Sequence, residues 1–306
     1  MANFTVSVSP HLRAGQDTRS IMRDVLIALV PALIASIAIF GERALLVEMV
    51  CMASAEISEW AFEKITKRPK TLNDLSAAVT GLLLAFNLPV DIPVWQAALG
   101  SVIAIVVVKQ LFGGLGQNFA NPAITARIIM LLSFSGTMTS WRAMPADAVS
   151  SATPLAVLSG AEGSLPGLTD MLLGLRGGCL GETCAIALLL GGAYLLIRGV
   201  ISWHTPVAFI GTVFIFTLLL GQQPVYQVLS GGLLLGAFFM ATDYATTPST
   251  NWGRIIFGVG CGLITVLIRV WGNYPEGVSF SILLMNILTP YISNWTRTKP
   301  FGGVKA

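Results

Sequence analysis

Ten stretches of this chain are almost continuously apolar, and polar or charged residues collect between them. A helix needs about 20 apolar residues to cross roughly 30 Å of hydrocarbon. On that criterion the pattern predicts helices at 25–41, 44–62, 75–88, 94–112, 122–134, 182–197, 206–221, 225–241, 255–271 and 278–292. The third and fifth are short, which marks them as half-helices or spans of little tilt. The chain then divides into an N-terminal segment (1–24), five spans (25–134), a long connection (135–181), five further spans (182–292) and a tail (293–306). Pro93-Val94-Trp95-Gln96 resembles Pro224-Val225-Tyr226-Gln227. Those segments open spans four and eight, which run the same way, so the match is coincidental and does not mark five spans inverted on five.

Composition sharpens this picture. Only 11% of the 306 residues are charged, against about 25% in soluble domains, which leaves a water-soluble enzyme nearly excluded. The net charge of +3 is scattered and offers no face for nucleic acid. The 31 glycines fit close helix packing or broken helices, both frequent in membranes. No signal peptide is evident, because the first apolar run lacks a cleavage site. With the N-terminus in the cytoplasm, 14 of the 18 basic residues fall at inner ends and only Arg43, Arg142, Arg176 and Arg269 fall outside. That bias follows the positive-inside rule. The expectation is an all-α polytopic membrane protein of about ten transmembrane helices, some short or broken, with both termini cytoplasmic. The 135–181 connection then lies outside the membrane, and loops of that length are usually functional or disordered.

Four segments carry candidate chemistry. Asp147-Ala148-Val149-Ser150-Ser151-Ala152-Thr153 is a run of small and hydroxylated residues ahead of Pro154. It is sterically open, and a modifying enzyme can reach the Thr153 hydroxyl; on composition alone it is a plain polar loop. Between spans four and five, Gly113, Gly114 and Gly116 would be costly in a continuous helix. Broken backbone at membrane depth survives only under protein or beside a cavity. Asn118 and Asn121, three apart, either face one ligand with donors and acceptors or satisfy that broken backbone. Asp243, after span eight, either caps the next turn or lines an ion or cofactor cavity. In span two, Glu48, Glu56, Glu59 and Glu63 fall within about 80° of one another at 100° per residue. Glu56 is the deepest and becomes the candidate for cation or proton handling, while Glu59 and Glu63 reach the inner interface beside Lys64, Lys67 and Arg68. His11 and His204 have no ligand spacing. Cys51, Cys179, Cys184 and Cys261 form no metal-binding pattern, and free thiols are the simpler reading of Cys179 and Cys184.

The run at 147–153 resembles the flavinylation motif Asp-x-x-Ser/Thr-Gly-Ala-Thr, with Ser151 where glycine is usual. The segment from Gly113 to Arg127, the segment from Met240 to Pro248 and the early Ser9-Pro10-His11 are similar to one family. It contains the D subunits of Rnf complexes and the B subunits of sodium-pumping NADH:quinone reductases. About 24 residues precede the first span, fewer than the quinone-reductase relative has, which places the resemblance nearer the Rnf side. The resemblance implies a membrane electron-transfer subunit, inactive alone, in the bacterial cytoplasmic (inner) membrane. It implies flavin mononucleotide (FMN) in phosphoester linkage to Thr153, within the motif residues Asp147, Ser150, Ser151 and Ala152. It implies non-covalent riboflavin near Asn118 and Asn121. Partners would be the Rnf A, B, C and E subunits and especially the flavoprotein RnfG, together with lipid and a flavin transferase. The complex would couple ferredoxin–NAD electron flow to movement of Na+ or H+. The competing readings are a small-solute transporter or channel without redox chemistry, and the quinone-reductase subunit itself.

Overall fold

The computed structural model describes residues 17–68, 71–141, 153–161, 164–272 and 277–298, and all regular elements among them are helical. Helix α1 (Thr18–Phe40) opens on a capping box formed by Asp17 and Ser20. It turns at Gly41, where φ is 73°, directly into α2 (Glu42–Thr66). After α3 (Ser76–Phe86), helix α4 (Val94–Val102) runs on as a π-helical stretch at Ile103–Gln110. Helix α5 (Pro122–Ser133) starts with proline at its first position behind an Asn121 cap. Short helices α6 (Ser135–Met138), α7 (Pro154–Leu158) and α8 (Leu168–Leu173) follow. The chain continues through α9 (Ala185–Ile197), α10 (His204–Leu219) and α11 (Pro224–Leu229). Helix α12 (Leu233–Leu235) runs into a second π-helical stretch at Gly236–Met240, and α13 (Asn251–Trp271) and α14 (Val278–Trp295) complete the chain.

Each of the ten apolar segments is therefore helical, with the eighth broken at Ser230-Gly231-Gly232. Among the described residues, α1 and α13 are the two helices long and apolar enough to cross a membrane. The remaining segments are shortened, interrupted or charged, except α14, which is long enough but too polar. Trp252 and Trp271 stand exposed at the two ends of α13. They lie nineteen positions apart, or about 28 Å of helix, close to the hydrocarbon thickness at whose borders tryptophan collects. Helix α3 has 11 residues and spans only about 16 Å.

The space beyond the end of α3 is filled from the long connection. Residues 176–183 are buried, and the backbone N–H groups of Leu180 and Gly181 donate to the carbonyls of Leu88 (3.1 Å) and Phe86 (3.0 Å). The Arg176 guanidinium donates to the carbonyls of Glu182 and Leu229, at 2.9 and 2.6 Å. Arg127 bonds Ser279 Oγ (2.8 Å) and approaches Cys179 Sγ (3.4 Å). The end of the connection is thus folded into the protein, so the long outer loop of the sequence pattern is in part a core segment. All four cysteines are free thiols.

Close packing depends on glycine. A Cβ on Gly191 of α9 would lie 2.1 Å from the Ala28 carbonyl oxygen of α1. On α13, a Cβ at Gly258 would meet Thr205 O and Ala208 Cβ of α10 at 2.8 Å, and one at Gly262 would meet Thr212 Cβ at 2.6 Å. Small residues four apart let helix backbones approach in this way. Gly258→Ala should therefore lower stability by about 1–3 kcal/mol through overpacking. Gly211→Ala, on α10 with nothing within 4 Å of the added methyl, should be neutral or stabilising by up to about 1 kcal/mol. Thermal unfolding of the two variants in detergent checks the contrast, and equal shifts would refute the packing argument.

Candidate functional site

Both π-helical stretches end at the same place. The first delivers the chain to Gly113, Gly114 and Gly116, all at positive φ (126°, 98° and 83°). Side chains disfavour that region, which is why the break needs glycine there. The second delivers it to Thr242, Asp243 and Tyr244. These two distant segments, with α1, α3 and α9, line a cleft that is partly open to the outside and holds about 90 Å³ of space for the centres of water molecules. Its walls are apolar at Val79, Leu83, Leu195, Phe238 and Phe239, and polar at Thr80, Asn118, Asn121, Thr242 and Asp243.

The two asparagines hold the break together. Asn118 Nδ2 donates to the Ala120 carbonyl at 2.9 Å. Asn121 Oδ1 accepts from Ala123 N (3.1 Å) and Ile124 N (3.3 Å), capping α5, and its Nδ2 donates to Met240 O at 3.3 Å. That last bond ties one broken segment to the other. Asn286 joins in: its side-chain oxygen accepts from Asn121 N (3.1 Å) and its nitrogen donates to Thr246 O (3.3 Å). The asparagines thus satisfy the broken backbone, and both also border the cleft.

Asp243 caps its turn and borders the cleft. Thr246 Oγ1 donates to Asp243 Oδ2 at 3.1 Å, and the N–H groups of Thr246 and Thr247 bond the Asp243 carbonyl. Burial raises its carboxyl above the ordinary value, while hydrogen bonds from Thr246 and Asn118 pull it back. The carboxylate is a cap that also faces the cleft.

At the edge of the cleft lies a buried ion pair that the sequence pattern misassigns. Lys109, on the first π-helical stretch, donates to Glu59 Oε1 at 2.8 Å and to Ser76 Oγ at 2.6 Å. Gln110 Nε2 adds a bond to the same Glu59 oxygen at 2.7 Å. Lys109 and Glu59 are 2% and 0% exposed, so neither reaches the interface. Glu63 is buried too, bonded to Thr71 N at 2.9 Å. Glu56 is the correction on the other side: its side chain is exposed on the outer face of α2 and does not enter the interior. The buried stripe of α2 runs through Ala44, Glu48, Cys51, Ala55, Glu59 and Glu63. Glu56, at the edge of the 80° arc, falls just outside it. Depth along the helix does not give orientation around it.

Thr153 lies apart from the cleft. It is the N-cap of α7, its Oγ1 accepting from Ala156 N at 3.3 Å, and it is half-buried. Two residues on, Leu155 packs so tightly on the broken eighth segment that a Cβ at Gly231 would lie 2.2 Å from its Cδ1. Asp147, Ser150, Ser151 and Ala152 lie outside the described residues, as does His11. The structure thus gathers Asn118, Asn121 and Asp243 around one cleft and leaves Thr153 at a separate site.

The family description "NQR2, RnfD, RnfE family" matches residues 5–302. Among curated proteins, the chain is 52% identical over 307 residues to the D subunit of the Na+-translocating ferredoxin:NAD+ oxidoreductase complex of Acetobacterium woodii, covering 99% of this chain and 96% of the relative. It is 44% identical over 320 residues to the D subunit of the proton-translocating ferredoxin:NAD+ oxidoreductase complex of Clostridium ljungdahlii, covering 98% and 96%. It is 33% identical over 348 residues to the D subunit of the ion-translocating oxidoreductase complex of Aliivibrio salmonicida, covering 99% of each chain. The glycine break, the asparagine-capped α5 and the Asp243 turn all fall inside these matches, and the chain belongs to the NQR2, RnfD, RnfE family.

Proposed function

We propose that this chain is a membrane electron-transfer subunit of an Rnf-type ion-translocating oxidoreductase complex, with FMN in phosphoester linkage to Thr153 and riboflavin in the cleft. The observation that carries the cofactor reading is the cleft itself. Two segments about 120 residues apart bring Asn118, Asn121 and Asp243 to one side of an apolar-walled space. Flavins pair a flat, largely apolar ring system with polar edges and a hydroxylated chain. Phe238, Phe239, Leu83 and Leu195 suit the ring. Thr80, Thr242, Asp243 and the asparagine amides suit its polar edge and hydroxyls.

A bound flavin would supply the redox chemistry, and the protein position, electrostatics and exclusion of water. The described residues include no group of three or more His, Cys, Asp or Glu placed to hold a metal. The relatives named as members of ferredoxin:NAD+ oxidoreductase complexes supply the reaction class: electron flow between ferredoxin and NAD+, coupled to Na+ or H+ movement. In this reading the chain lies in the bacterial cytoplasmic membrane with both termini inside and its spans in two sets of five. Thr153 faces outward and is loaded by a flavin transferase. The Rnf A, B, C, E and G subunits complete the complex, with RnfG meeting Thr153 on the outer face.

Asn118→Leu tests the cleft separately from Thr153. Flavin released by acid from the purified complex should lose riboflavin at least ten-fold, while the covalent FMN on the denatured chain stays at wild-type level. Riboflavin retained in full would move the cofactor out of this cleft.

A further inference from the structure

Among the described residues, Glu56 is the one exposed charged side chain more than two helical turns from either end of its helix. It makes no hydrogen bond or ion pair with any of them. The basic cluster at the inner end of α2 begins at Lys64, eight residues further on, or about 12 Å along the axis. A glutamate side chain does not span that distance. The Lys64 ammonium stops at Trp60, midway between the two residues, its Nζ lying 4.7 Å from the centroid of the Trp60 ring. The surroundings of Glu56 on this face are Met49, Ala53, Ile57 and Trp60, all exposed. Helices α1, α3 and α4 pack on the opposite side of α2.

A carboxylate at this depth facing hydrocarbon is costly, and intramembrane charges face protein or water. Lipid chains offer no donor, and headgroups do not reach so far. A second copy related by two-fold symmetry would offer the same face, and its Met49, Ala53, Glu56, Ile57 and Trp60 include no cation to meet Glu56. We propose that the outer face of α2 from Met49 to Trp60 docks a transmembrane helix of another protein of the complex. That helix presents a lysine, arginine or other hydrogen-bond donor to Glu56. Ala53, one turn away, leaves room for close approach. This assignment rests on the reading of the chain as part of a complex, and it gives Glu56 a binding role in place of a role in the ion path.

The test uses the intact, affinity-purified complex. A photo-crosslinking amino acid replaces Ile57 in one preparation and Met49 in another. Both positions are exposed, so neither change disturbs the core of this chain. Adducts with another protein of the complex are expected at both. Adducts with lipid alone, or with a second copy of this chain, overturn the proposal. Glu56→Lys should lower the recovery of the other subunits at least ten-fold, with this chain still inserted in the membrane at wild-type amounts. Glu56→Gln, which keeps a hydrogen-bonding side chain, should retain most of them. Wild-type recovery with Glu56→Lys also overturns it. If wild-type chain captures no other subunits, the complex reading itself fails, and that outcome is distinct from lipid-only adducts in a complete complex.

Discussion

On the proposed phosphoester linkage, Thr153→Ala should abolish the flavin fluorescence of this chain on a denaturing gel and remove the FMN mass from the peptide that contains residue 153. The expected effect is all or none, because a phosphoester at this position needs the Thr153 oxygen. Alanine also deletes the N-cap of α7, at a cost of about 0.5–2 kcal/mol. Thr153→Ser separates the two effects. Serine keeps both the hydroxyl and the cap, so it should hold the helix start and restore some flavin when a transferase is present. Covalent flavin surviving Thr153→Ala would refute the linkage, and mapping the modified peptide would then show the residue that carries it.

The second large effect is in the buried pair. Removing one partner of a buried ion pair typically costs about 3–5 kcal/mol, because the other charge is left without compensation. Glu59→Gln and Lys109→Met should each lower the stability of the detergent-solubilised complex by that order. The double variant Glu59→Gln/Lys109→Met should cost markedly less than the sum, since it leaves no orphan charge. Thermal unfolding of all four proteins gives the coupling directly. Additive losses would mean that Lys109 and Glu59 act independently. Lys109 and Ser76 also border the cleft, so the single variants should weaken retention of a cleft-bound flavin, which the same preparations can report.

Much of the local structure is legible from the residues. The ten helical segments follow from apolar runs between polar clusters. The break at 113–116 follows from three glycines that the structure places at positive φ. The start of α5 follows from Asn121 ahead of Pro122, and the α7 cap from Thr153 ahead of Pro154. Each of these is a property of a few neighbouring residues, set by sterics and hydrogen bonding along the backbone. The π-helical ends of α4 and α12 are the exception, since the aliphatic run Ile103–Val108 carries no local signal for them.

What the residues alone did not determine was facing and convergence. Lipid is as apolar as a packed helix interface, so apolarity says that a helix is in the membrane and not which side meets protein. That is why Glu56 reads as interior and Glu59 as peripheral, when packing of α2 against α3 and α4 makes the reverse true. Charge told no more: Lys109 counts as an inner-end cation by the positive-inside rule and is buried at 2% exposure. The cleft likewise belongs to no single segment. Asn118 and Asp243 meet because two broken helices end beside each other, and residues 176–183 are core because half-helix α3 stops short and leaves space to fill. Local sequence set the helices, their caps and their breaks; tertiary packing alone decided which carboxylates are buried and which breaks share a cavity, because those depend on contacts between segments that no short run of residues encodes.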